Sequence, residues 1–366
     1  NAVYESTDFV SIDMIDPEVT VVLGKADFEA DDVKYYDSAV TAEIKVKEVR
    51  FNPADIVISD VEGFKGMSAE NVAYLAQPSS WTYADGSYTA SVVFAAENAD
   101  GDYAFAVDYT DLAKKVADKV ESGTFVIDTT APQTDIEPAV EPVITVNDSY
   151  PYETAEKDAE NSVDIFASET EFVFTITEKN FFADGAEVTV DGNEVKLDWS
   201  SKNGVHTATY TIDKNGDYEI KLSYTDIFGN AVYESTDFVA VDMENPLVTI
   251  ELNAENQVYD EIKYYNSYVI AKITVKEERF NPEDIAISEI EGLAGMSEAN
   301  KNYLLDSENW QYNTEGKSYS ASVAFTTENA EGVYGFAVDY KDIANNSAMQ
   351  VVSDTFVIDV TVPVIS

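Results

Sequence analysis

Residues 100–111 read DGDYAFAVDYTD, residues 215–226 read NGDYEIKLSYTD and residues 331–342 read EGVYGFAVDYKD. Each begins at a glycine-containing corner, continues through a tyrosine (Tyr103, Tyr218, Tyr334), and then carries apolar residues at every second position. Alternation of period two belongs to a strand with one buried face and one wet face. A hairpin signal follows, clearest at Ile227-Phe228-Gly229-Asn230, and then a further strand (123–128, 235–242, 354–359).

Working outward, the same order of signals recurs around each stretch. An alternating strand comes first, through Val40, Ala42, Ile44 and Val46, through Phe172, Phe174 and Ile176, and through Val269, Ala271, Ile273 and Val275. A turn follows (51–55, 181–185, 280–284), then a tryptophan (Trp81, Trp199, Trp310), then YTASVVF, HTATYTI or YSASVAF. Residues 230–246 repeat residues 1–17 almost letter for letter, 229 positions on. Within that period, a motif of Phe-Val, then Asp, then Pro closes a segment at Pro17, Pro132, Pro246 and Pro363, at spacings of 115, 114 and 117. About one sandwich domain fits each interval. The expected organisation is therefore all-β, with three tandem Ig-like antiparallel sandwiches at 17–131, 132–245 and 246–366. Residues 1–16 read as the last strand of a preceding domain. The tyrosine of each corner sits where such sandwiches bond a tyrosine hydroxyl back across the corner.

The pieces YTDIFGN (224–230) and FVIDTTAP (125–132) resemble the bacterial Ig-like repeats of large surface proteins and adhesins, especially those of Gram-positive bacteria. The resemblance spans essentially the whole chain in three copies. It implies an extracellular, cell-surface stalk or binding array rather than catalysis. It also implies calcium at interdomain joints, which some related repeats carry.

Composition narrows the function. Seventy acidic residues against 22 basic ones give a net charge of −48. Nucleic acid and direct membrane insertion are excluded as partners, because each needs a positive or a long apolar face. Hard cations such as Ca²⁺ are attracted, and solubility of a long rod is the plainer consequence of the same charge. The chain has no cysteine, so disulfides, zinc–thiolate sites and cysteine catalysis are out. The one histidine, His206, shares a column with Tyr88 and Tyr319 and reads as a surface or edge-strand residue, not a general base. No catalytic residue is expected.

Two candidate sites remain. End-to-end sandwiches bring the linker aspartate of one unit to the hairpin of the next. This pairs Asp13 with Asp111, Asp128 with Asp226 and Asp242 with Asp342 as oxygen ligands for interdomain Ca²⁺. Read plainly, the same residues are turn formers and strand caps. The second candidate is an insertion in the outer units, 59–80 and 288–309, that the middle unit lacks. Ser68 and Ser297 cap a short helix there, ending near Leu75 and Leu304. Phe64, Met67 and Tyr74, with Leu293, Met296 and Tyr303, are its candidate ligand anchors, and two tethered copies would bind bivalently. Alternatively Met67, Tyr74 and Leu75 simply cover the core. The functions in view are an elongated monomeric stalk or adhesin segment presenting faces to host or matrix protein or glycan, an antibody (immunoglobulin) binder, and an accessory glycan-binding module of a secreted enzyme.

Overall fold

The computed structural model describes residues 12–95, 100–147, 162–228, 232–326 and 331–362. Most of the 1–16 strand expected for a preceding domain therefore lies outside the described residues.

Each unit is built from the long inward–outward strands that the sequence marks. In the first unit Glu18–Leu23, Val40–Lys47, Ser87–Phe94 and Thr82–Ala84 form one four-stranded antiparallel sheet in that order. Its burial alternates residue by residue along Val40–Lys47, with Val40, Ala42, Ile44 and Val46 inside. The opposing layer holds Phe105–Tyr109 beside Ile56–Asp60 and Val120–Glu121. Phe125–Ile127 pairs parallel to Val33–Tyr36 and antiparallel to Gly101–Tyr103. An antiparallel four-strand layer facing a layer built on the later strands is the immunoglobulin-type arrangement. The third unit repeats it strand for strand. The middle unit joins its second layer into one six-stranded sheet.

Three separate cores follow. One runs from Val19 to Ile127, one from Phe166 to Val241 and one from Val248 to Ile358. A small fourth cluster bridges two units: Ile343 and Ala344, on the hairpin of the third, pack with Ile165 and Ala240 of the second.

The turns after the long strands are short 3-10 segments, Pro53–Asp55, Ala183–Gly185 and Pro282–Asp284. Each is tied to the core by a buried tyrosine. Tyr109, Tyr224 and Tyr340 accept hydrogen bonds at their hydroxyl oxygens from the amides of Asn52, Phe182 and Asn281, at 3.1, 3.0 and 3.1 Å. In the middle unit the Tyr218 hydroxyl donates back to the Lys214 carbonyl at 3.0 Å, as a corner tyrosine does.

The insertion forms helix α1 (Ala69–Leu75) in the first unit and α2 (Glu298–Leu304) in the third. Ser68 and Ser297 cap them, accepting from the amides of Asn71 and Asn300. Leu75 and Leu304 are fully buried, and the Trp81 and Trp310 indoles donate to their carbonyls at 2.7 and 2.8 Å. Tryptophan therefore seals the helix onto the sandwich with its polar edge satisfied.

His206 corrects the expectation of a surface or edge position. It is buried, on the inner strand Val205–Ile212, and stacks on Phe181 with ring centres 4.0 Å apart. Its column packs on the turn phenylalanine: Tyr88 lies on Phe51 and Tyr319 on Phe280 in the same way. Both ring nitrogens are engaged at 2.7 Å, Nδ1 with the Ser201 hydroxyl and Nε2 with the Glu178 carbonyl. The imidazole is a packing element with no open face.

Candidate metal centre

The inward-facing register of two strands decides what sits at the end of each sandwich. Along the first unit's long strand the buried phase runs Val40, Ala42, Ile44, Val46, and its next member is Glu48. Along the strand Phe105–Tyr109 of the opposing layer it runs Phe105, Val107, Tyr109, and its next member is Asp111. Both strands thus carry a carboxylate out of the same core at the same end. The linker aspartate arriving from the preceding segment, Asp13, completes the group. One carboxylate oxygen from each of Asp13, Glu48 and Asp111 lies within 4.8 Å of the others. The third unit repeats the group as Asp242, Glu277 and Asp342.

Each acid is held at one oxygen by a backbone amide. Oε1 of Glu48 accepts from the Arg50 amide at 2.8 Å, and Oε1 of Glu277 from the Arg279 amide at 2.9 Å. Oδ1 of Asp13 and of Asp242 accepts from an amide two residues on. Oδ1 of Asp111 accepts from the Lys115 amide at 2.8 Å, and that of Asp342 from the Asn346 amide at 2.7 Å. Asp111 and Asp342 are only 2% and 4% exposed, yet Oδ2 of each has no hydrogen-bond partner. An orphaned buried carboxylate oxygen is costly. Here it occurs twice, at equivalent atoms, aimed into an acidic group.

The electrostatics point the same way. Two unit charges 4.8 Å apart repel by about 3 kcal/mol at an effective dielectric near 20. Three ionised carboxylates in this space therefore need a proton or a cation. Burial, with Asp242 and Asp342 adding to it, pushes the Glu277 carboxyl up to about 7. Burial likewise lifts Asp342 to about 6 and raises Asp242. The nearby cations form their ion pairs with other acids, Lys115 with Asp16 at 2.9 Å and Arg279 with Asp217, and act on the trios only through space, Lys115 on Asp13 and Asp111 and Arg279 on Asp242. Carboxylate oxygens crowded to this spacing, with free lone pairs, suit a hard cation such as Ca²⁺, which takes six to eight oxygens from carboxylates, carbonyls and water.

The middle joint is built from the same positions but differs. Burial and the neighbouring Asp128 push Glu178 up to about 7, and its side chain hydrogen-bonds with Asp128. The Asp226 charge raises it further. Asp128, Glu178 and Asp226 do not gather within 4.8 Å as the outer groups do.

Glu48, Glu178 and Glu277 were absent from the sequence expectation, which placed aspartates alone at the joints. The available signal was their phase: a carboxylate on the apolar register, in all three copies.

The insertion sites divide. Met67 and Met296 are buried in the cores, correcting the expectation that they are exposed anchors. Each lies on the core side of the loop that leads into its helix. Phe64 and Leu293 are half-buried. Tyr74 and Tyr303, 46% and 42% exposed, remain outward on the helices.

No family model matches the chain, and no curated protein matches it in sequence. Among solved structures, the ICAM-5 D1–D4 ectodomain fragment superposes with a TM-score of 0.45 at 8% identity, over 93% of this chain and 76% of that one. The fibronectin(III)-like modules of Clostridium thermocellum CbhA superpose with a TM-score of 0.24 at 12% identity, over 61% of this chain and 94% of theirs. The immunoglobulin-type assignment rests on the strand order and pairing above.

Proposed function

We propose that this chain is a non-catalytic stalk segment of a secreted or cell-surface protein, whose tandem sandwiches are stiffened by Ca²⁺ at their joints. The observation that carries this reading is the pair of orphaned oxygens, Asp111 Oδ2 and Asp342 Oδ2, each inside an acidic trio that joins a linker to the next unit. Without a cation the trio pushes the linker aspartate away from the following sandwich. With one, linker and sandwich share ligands and the angle between them is fixed. The Gram-positive surface setting is part of the proposal, supported by the resemblance at 125–132 and 224–230. Among the described residues no helix is long and apolar enough to cross a membrane.

Small-angle scattering of the whole chain tests the reading. In millimolar calcium an extended, narrow particle is expected, and chelation should broaden its distance distribution. Identical curves in calcium and in chelator would end the cation reading.

A second reading concerns what the stalk presents. Tyr74 and Tyr303 stand outward at equivalent places on α1 and α2. Each suits an anchor for a host or matrix protein, an antibody among them. A glycan ligand is less supported, since Trp81 and Trp310 are buried. Replacing both tyrosines with alanine should abolish capture of a serum or mucus partner by the immobilised chain. Capture unchanged by the double substitution would remove the helices from that role.

A further inference from the structure

We infer that the joint between the first and second units closes without a cation, Asn180 taking the place that Ca²⁺ takes at the other two joints. The inference rests on the cation reading of those two joints. The three positions are equivalent: Arg50, Asn180 and Arg279 each follow the joint glutamate by two residues, and each donates its backbone amide to that glutamate's Oε1. The side chains then diverge. Arg279 swings out of its trio to pair with Asp217, leaving the carboxylates facing one another. Asn180 turns inward, and its Nδ2 donates to Oδ2 of Asp128.

Both oxygens of Asp128 are thereby engaged, since Oδ1 accepts from the Thr130 amide at 3.1 Å. The linker aspartate thus has hydrogen-bond donors where a cation would need free lone pairs. Asp128 stays beside Glu178, and the three carboxylates of this joint do not share the close three-way spacing of the outer trios.

The linker itself is gripped independently. Asp100 accepts from the Thr129 amide at 2.9 Å, the Thr129 hydroxyl at 2.7 Å and the Thr130 hydroxyl at 2.6 Å. At the following joint the equivalent residue, Asn215, accepts one bond, from the Met243 amide at 2.9 Å. Lys179 adds an ion pair across the joint to Asp102 at 2.9 Å. The first–second joint is therefore closed by protein donors alone, while the third unit's joint leaves acceptors open.

Calorimetric titration of the whole chain with CaCl₂ should give two equivalents. Glu48→Gln and Glu277→Gln should each remove one, and Glu178→Gln none. The chain has no cysteine, so one introduced cysteine per unit permits clean spin-labelling. The label distance across the first–second joint should stay narrow in EDTA, and that across the second–third joint should broaden. Asn180→Ala should broaden the former in calcium and EDTA alike. Three equivalents, one of them lost in Glu178→Gln, would overturn the inference, as would an EDTA-sensitive first–second distance. Zero equivalents would overturn the cation reading instead, and the Asn180→Ala distances would still decide whether that side chain closes the joint.

Discussion

A single atom, Oδ2 of Asp342, makes opposite demands in two conditions. In chelator it is a buried charge without a partner; in calcium it is a ligand. Asp342→Asn should therefore raise the melting temperature of the calcium-free chain by a few degrees, a relief on the order of 1–2 kcal/mol for one unsatisfied acceptor. The same substitution should erase most of the calcium-induced rise. Scanning calorimetry in both conditions reads the two effects separately, and a mutant destabilised in chelator would contradict the first. Protons compete for the same oxygens. Glu277 and Asp342 titrate above their unfolded values, so the folded state holds those protons more tightly. Their contribution to calcium-free stability is fully present below the unfolded range near pH 4 and is lost as pH rises through about 6 and 7. Calcium should reverse the trend above pH 7, where the trio is ionised. Melting curves from pH 4.5 to 7.5, with and without chelator, check the sign.

At the scale of the element, the helices of the insertion depend on two buried anchors rather than on their own propensity. Seven residues are too few to form a helix alone. Leu304→Ala empties a fully buried site beneath α2 and should cost about 2–5 kcal/mol, while Ser297→Ala removes only the cap, about 1 kcal/mol. Urea denaturation of the two variants distinguishes them. Caps, turns and alternating strands were legible in the sequence because each is a local pattern: serine before the helix, a break in the alternation at the turn, period two along the strand. His206 was misplaced because its column was compared by residue type alone. The Phe181 ring that buries it comes from another strand's turn and leaves no mark at position 206. The aspartate pairs are legible only through the way linkers meet hairpins in tandem sandwiches. The glutamates went unnoticed because a charged residue after a strand reads as a solvated turn unless its phase is followed past the strand's end.

At the scale of the whole molecule, similar sandwiches are joined by unlike joints. Ile343 and Ala344 pack back onto Ile165 and Ala240, so the third unit adds apolar contact to its acidic trio. Ile343→Ser should widen the spread of interdomain distances across that joint even in saturating calcium, with each unit's own melting transition unmoved. Single-molecule distance measurements on doubly labelled chains would show it, and a spread equal to that of the parent would confine the stiffening to the acids. The first unit's hairpin carries Leu112 at the place of Ile343, where it is largely exposed, so the same kind of contact is not made there within the described residues.

The orphaned oxygens also bear on where such a mast acquires its stiffness. On the cation reading, a chain made where free calcium is scarce would travel with its outer hinges slack, easily threaded and bent. It would straighten only on reaching a calcium-rich medium, so the surroundings themselves would supply the last step of its assembly.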